Sequence, residues 1–125
     1  VRPKAPGMRY RNYAPRAELT IVEGPEEKVT ETIREMAKEK LAEGRRVGIL
    51  CCRETAGQYR EGRVFPVGSR LGEDSIARHL YEALRQFDQE NMDVIYSEAF
   101  DTPRMGQAIM NRLLKAAGHK VLEVQ

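Results

Sequence analysis

The sequence predicts an α/β fold: a three-layer, Rossmann-like domain with a mostly parallel sheet of about five strands and helices on both faces. Three observations carry this expectation. Short β-rich runs alternate with longer helical stretches in the order β-α-β-(α)-β-α-β-α-β, and such alternation builds a parallel sheet through right-handed crossovers. Residues 46–51 (Arg-Val-Gly-Ile-Leu-Cys) are nearly continuously apolar, as in strands buried on both faces. The chain has 125 residues, 41% of them hydrophobic and 32% charged, which suits one domain with a core that needs no disulfide or metal.

Taken in order, residues 18–23 (Glu-Leu-Thr-Ile-Val-Glu) are rich in β-branched side chains and read as the first strand. Gly24-Pro25 then opens a helix, with proline expected at its first position and Glu26 and Glu27 in its first turn. Val29, Ile33, Met36, Ala37 and Leu41 recur at helical spacing, and Gly44 caps the end. After the second strand, residues 53–59 suit a short helix or turn. Val64 to Val67 reads as a third strand, and Pro66 within it places that strand at a sheet edge. Gly68-Ser69-Arg70 is a turn. Glu73 to Gln89 forms the second long helix on the stripe Ile76, Leu80, Leu84 and Phe87, with Ala77 and Tyr81 beside it and Asn91 as its stop. Asp93 to Ser97 is the fourth strand. Thr102-Pro103 is expected to start a third long helix, by an N-cap and a proline at the first position. Met105, Ala108, Ile109 and Leu113 line it, Gly118 stops it, and residues 121–124 suit a fifth strand.

Residues 1–16 stand apart as a linker or arm, with residues 17–125 as the folded domain. Pro3, Pro6 and Pro15 forbid a continuous helix there. The formal net charge is +2, yet residues 1–16 hold Arg2, Lys4, Arg9, Arg11 and Arg16 and no acid, or +5. The remainder therefore carries 16 basic and 19 acidic residues, or −3. A basic arm on a mildly acidic body points to an anionic target for the arm, or to an arm folded back on the body. The sequence begins at Val1, so it is expected to start inside a longer chain.

No apolar run is long enough to span a membrane, and no secretory signal precedes the domain. Cys51 and Cys52 are adjacent, so in an extended strand they point to opposite faces and are poorly placed to bond each other. A cytoplasmic, reducing location is expected.

Few residues carry recognisable chemistry. There is no G-x-G-x-x-G after the first strand and no G-x-x-x-x-G-K-[ST], which excludes the usual dinucleotide and P-loop enzymes. Ser69 and Arg70 precede a helix and offer a candidate anion site; the alternative is a tight turn with a surface arginine. Cys52, Glu54 and Thr55 suggest a thiol nucleophile only weakly, because His79 and His119 are remote in sequence and strand cysteines are usually inert. The same residues lack metal-ligand spacing. No catalytic or metal-binding residue is therefore assigned to this domain, and no cofactor. Asn111-Arg112, on the last helix, suits a capping bond with a solvated arginine as well as a phosphate contact. The arm is the richest stretch. Arg9, Tyr10, Arg11, Asn12 and Tyr13 combine fork-shaped donors with stacking faces, suited to nucleic acid or to covering a nucleotide.

Gly7-Met-Arg-Tyr-Arg-Asn-Tyr-Ala-Pro15 resembles the linker motif of the two-domain threonylcarbamoyl-AMP synthases, which often reads Gly-Met-(Lys/Arg)-Tyr-Arg-His-Tyr-Ala-Pro. The resemblance continues through Val47 to Leu50, Gly68-Ser69-Arg70, Ile76-Ala77-Arg78, Leu84 to Asp88, Asp93 to Glu98 and Ala108 to Gly118. It implies a Rossmann-like C-terminal domain joined in cis to an N-terminal YrdC-like catalytic domain. That domain would bind ATP, Mg, threonine and bicarbonate, form threonylcarbamoyl-AMP with release of pyrophosphate, and supply the threonylcarbamoyladenosine modification of tRNA. By the same resemblance the linker encloses the catalytic pocket, a role carried here by Arg9, Tyr10, Arg11, Asn12 and Tyr13. Asn12 replaces the usual histidine: it keeps hydrogen-bonding capacity but cannot change charge near neutral pH. His79 stands where relatives often have asparagine. Two other readings remain: a module that binds tRNA or a protein of the modification machinery through the arm, and a stand-alone binder of a nucleotide or other small molecule.

Overall fold

The computed structural model describes residues 14–125. Within them the elements follow in the predicted order: β1 (Glu18–Glu23), α1 (Glu26–Ala42), β2 (Val47–Cys51), α2 (Arg53–Ala56), β3 (Arg63–Pro66), α3 (Glu73–Gln89), β4 (Val94–Glu98), α4 (Gly106–Ala116) and β5 (Val121–Glu123). The strands form one five-stranded sheet in the order β3-β2-β4-β1-β5. Every pairing is parallel, so the sheet is wholly rather than mostly so. Pro66 lies on the edge strand β3, where its missing N–H breaks no ladder.

Crossover handedness decides which face each helix covers. From β1 the chain steps past β4 to β2 and on to β3, so α1 and α2 lie on one face. From β3 it returns past β2 to β4, then past β1 to β5, so α3 and α4 lie on the other. The two buried clusters follow this division. Leu19, Ile21, Leu50 and Ile95 pack with Ile76, Leu80, Leu84 and Phe87 of α3 and with Ile109 and Leu113 of α4. Their strand neighbours Val22, Ile49, Cys51, Val94 and Tyr96 pack with Val29, Ile33 and Ala37 of α1. Alternation along a strand thus feeds both cores, which is why β2 and β4 are buried throughout. Cys51 and Cys52 fall in opposite clusters and are both free.

Three local expectations are corrected. Pro25 is extended (φ −60, ψ 140) and precedes α1 instead of opening it. Leu41 is 39% exposed, because the buried stripe of α1 ends at Ala37. The last long helix starts at Gly106, not at Pro103. Its expected first turn is held differently, since the N–H groups of Arg104 and Met105 both donate to one oxygen of Glu73 on α3. A carboxylate from another helix here does what an N-cap would do.

Gly48, in the middle of β2, leaves room for the Phe87 ring. A Cβ there would sit 3.0–3.1 Å from three ring carbons. Phe87 is fully buried and packs edge-on against Phe65, with centroids 6.1 Å apart, so the ring has nowhere to retreat. Gly48→Ala is therefore expected to lower stability by about 1–3 kcal/mol, read as a lower urea midpoint at unchanged m-value.

Candidate functional site

Open parallel sheets gather ligands beyond the carboxyl ends of their strands, where loops leave toward opposite faces. Here the loops after β1 and β4 diverge in that way, one into α1 and the other into α4. Between them lies a cleft of about 250 Å³ lined by Glu23, Gly24, Glu26, Val29, Arg70, Glu98, Ala99, Asp101 and Thr102.

Glu98 organises this end of the sheet. It closes β4 and is 2% exposed. A carboxyl group so buried needs donors, and four groups converge on it. The Cys52 N–H donates to Oε1 at 3.0 Å, and the hydroxyls of Thr55 and Tyr59 both donate to Oε2 at 2.6 Å. The Arg70 guanidinium lies 3.7 Å away through Nη2. The carboxyl thereby ties β4 to the start of α2, to the chain after α2 and to the loop after β3.

Arg70 carries the network outward. Its Nη1 donates to Glu26 at 2.8 Å and its Nε points at the Cys52 sulfur at 3.2 Å. The Ser69 hydroxyl donates to Glu54 at 2.6 Å, and the Arg70 N–H lies 3.2 and 3.3 Å from the two Glu54 oxygens. Ser69 and Arg70 are thus brought together as the sequence suggested, and the chain's own carboxylates engage the donors offered to an anion. The Ser69 hydroxyl first, then the backbone N–H groups of Glu54 itself and of Arg70 and the Arg70 charge, hold the Glu54 carboxyl below its ordinary pKa.

The thiols are poor nucleophiles here. Burial, then the nearby Glu98, pushes Cys51 far up. Burial also raises Cys52, with Arg70 opposing. The Tyr59 phenol rises for the same reasons as Cys51, burial first and then Glu98. His79 sits on α3 with Nδ1 3.2 Å from the Val67 carbonyl oxygen. Among the described residues no group of three His, Cys, Asp or Glu side chains could hold a metal ion. Glu23, Glu26, Glu98 and Asp101 face a single Arg70 in the cleft, so acidic side chains outnumber basic ones there.

A second carboxylate, Glu73, joins α3 to α4. Besides accepting the two N–H groups of the turn, it pairs with the Arg104 Nε at 3.0 Å. The Met105 N–H first, then the Thr102 hydroxyl and the Arg104 donors, hold its pKa at about 2, down from an ordinary 4.5. Among the described residues the Thr102 hydroxyl makes no hydrogen bond within ordinary distance and angle, so the backbone donors are the firmer cause. Composition and periodicity did not single out Glu73, Tyr59 or the hub role of Glu98. Acids at a strand end and in the first turn of a helix were the only signals available. Arg112, on α4, lies over the Tyr81 ring at 5.8 Å from its centroid. The arm residues Arg9, Tyr10, Arg11, Asn12 and Tyr13 lie outside the described residues.

Comparisons with known proteins bear on this arrangement. A family model described as the C-terminal domain of threonylcarbamoyl-AMP synthase matches residues 1–118. The chain is 44% identical to the threonylcarbamoyl-AMP synthase of Bacillus subtilis, over 97% of this chain and 34% of that protein. It superposes with a TM-score of 0.81 and 41% identity on Pyrococcus abyssi Sua5, described in complex with L-threonine, covering 97% of this chain and 34% of that one. It also matches the C-terminal Sua5 domain from Pyrococcus horikoshii, with a TM-score of 0.69 and 35% identity over 89% of this chain and all of that one. The chain spans 34% of the length of the Pyrococcus abyssi and Bacillus subtilis synthases and 29% of that of Schizosaccharomyces pombe.

Tyr59→Phe removes one buried donor to Glu98 and is expected to cost about 1–3 kcal/mol in urea unfolding, without changing the far-ultraviolet circular dichroism. The folded pKa of Glu73 lies below its ordinary value, so its contribution to stability is full above about pH 4.5 and is lost as pH falls toward 2. Glu73→Gln is therefore expected to flatten the stability–pH curve in that window, measured by thermal unfolding between pH 2 and 6.

Proposed function

The chain belongs to the threonylcarbamoyl-AMP synthase C-terminal domain family, and from that premise we propose that it is the accessory half of a two-domain synthase. The observation that carries this reading is the family match itself. It runs from residue 1 through the arm to residue 118, in a chain that spans 34% of the Pyrococcus abyssi and Bacillus subtilis synthases. The remaining two thirds of such a protein would supply an N-terminal YrdC-like domain in cis. That domain would use ATP, Mg, threonine and bicarbonate to make threonylcarbamoyl-AMP and pyrophosphate.

In this reading residues 1–16 are the interdomain linker. Arg9, Tyr10, Arg11, Asn12 and Tyr13 close over the catalytic pocket, and the folded domain holds the root of that lid. Adenylyl transfer to a carbamate depends on positioning and on neutralising phosphate charge, which arginines on a closing segment can supply. The carboxylate-lined cleft of the folded domain supports the same division of labour, because its charge suits neither ATP nor pyrophosphate. The two buried free cysteines suit a reducing compartment, in keeping with a cytoplasmic enzyme.

The test is pyrophosphate release from ATP, threonine and bicarbonate. The 125-residue chain alone is expected to release none above background. In the two-domain protein, Tyr10→Ala is expected to lower kcat/KM at least about tenfold, or about 1.4 kcal/mol of transition-state stabilisation. Turnover by the chain alone, or full activity in the variant, would overturn the proposal.

A further inference from the structure

The loop between β3 and α3 is fastened at its tip by polar side chains alone. Leu71 is 94% exposed, so its side chain anchors nothing in the core. The Arg70 N–H lies 3.2 and 3.3 Å from the two Glu54 oxygens, and the Leu71 N–H donates to the Ser69 hydroxyl at 3.1 Å. Neither N–H therefore joins a sheet ladder or a helix. The backbone is secured on both sides of this stretch. The Gly68 carbonyl accepts the Arg53 N–H at 2.9 Å, and the Gly72 N–H donates to the Ser69 carbonyl at 2.9 Å. Gly68 turns the chain at φ 149, a conformation that suits glycine and marks a natural hinge.

Two buried groups lie beneath the loop. Cys52 is 0% exposed, and the Arg70 Nε points at its sulfur at 3.2 Å. Glu98 lies 3.7 Å from the Arg70 Nη2. The outer fastening of Arg70 is its ion pair with Glu26 at 2.8 Å, in which the two side chains are 38% and 51% exposed. Pairs so open to water contribute little and weaken as salt rises. Glu98 does not depend on Arg70. The Cys52 N–H and the Thr55 and Tyr59 hydroxyls still satisfy it when the guanidinium leaves. Opening the loop thus strands no buried carboxyl group and gives up no core packing, so it costs far less than unfolding the domain.

We propose that residues 69–71 are a strap that opens and closes over Cys52, with the Arg70–Glu26 ion pair as its latch. Arg70 is the one base among the described residues that line the cleft. Each opening therefore widens the cleft and leaves Glu23, Glu26, Glu98 and Asp101 without a counter-charge, and each closing restores it. The strap is independent of the synthase reading.

Thiol labelling of the folded 125-residue chain tests it. Cys51 is 0% exposed in the cluster under α1, so its labelling reports opening of the whole core. The chain is treated with excess iodoacetamide at mildly alkaline pH and digested with trypsin. The peptide 47–53 then carries both cysteines, and its fragment ions tell them apart. Cys52 is expected to react at least about tenfold faster than Cys51, because local opening is more frequent than unfolding. Glu26→Gln is expected to raise the Cys52 rate about threefold at an unchanged Cys51 rate. Labelling of Cys52 no faster than Cys51, or unchanged rates for both in the variant, would overturn the proposal. If the variant also speeds Cys51, the unsubstituted chain decides. Added salt is expected to speed Cys52 about twofold relative to Cys51, and a ratio independent of salt would overturn the proposal.

Discussion

Glu98 must find donors, because it ends the central strand β4 at 2% exposure. A carboxyl group buried without partners costs several kcal/mol, more than most single contacts in a domain of this size contribute. Meeting that demand fixes the surroundings. Thr55 has to be on α2, Tyr59 has to fold back under it, and the Cys52 N–H has to point across from β2. Arg70 then brings the loop after β3 into the same cluster and links it to Glu26 at the start of α1. One carboxyl thus sets the shape of the whole carboxyl end of the sheet.

That arrangement also limits what this end can bind. A sheet of this topology ordinarily offers a nucleotide its strand ends, with glycine-rich backbone and a helix N-terminus aimed at phosphate. Here the corresponding cleft presents Glu23, Glu26 and Asp101 beside Glu98, and its single arginine is held among carboxylates. The architecture matches a nucleotide-binding fold while the charge does not. The fold alone therefore does not assign nucleotide binding to this cleft.

Most of the architecture was legible in the sequence because its signals are local and redundant. The apolar run 46–51, the stripe on 73–89 and Pro66 each named an element and its place in the sheet. The start of the last helix was misplaced because Thr102-Pro103 is a sound local signal overridden from a distance: Glu73 lies 31 residues before Arg104 and takes the turn's donors. The same limit hid the Glu98 network. Its partners stand at 52, 55, 59 and 70, and nothing in their spacing says that one carboxyl will gather them. Ser69 and Arg70 were found as a pair by their position before a helix. That Glu54 takes their donors depends on the packing of α2, which sequence periodicity does not report.

The central claim is that this domain holds and positions the arm while the nucleotide binds elsewhere. The most direct measurement is a titration of the isotopically labelled 125-residue chain with Mg·ATP, following the amide resonances of Gly24, Arg70, Ala99 and Thr102 around the cleft. No saturable shift at these amides is expected up to millimolar nucleotide. A saturable shift there with a micromolar Kd would place the nucleotide in this domain and contradict the claim.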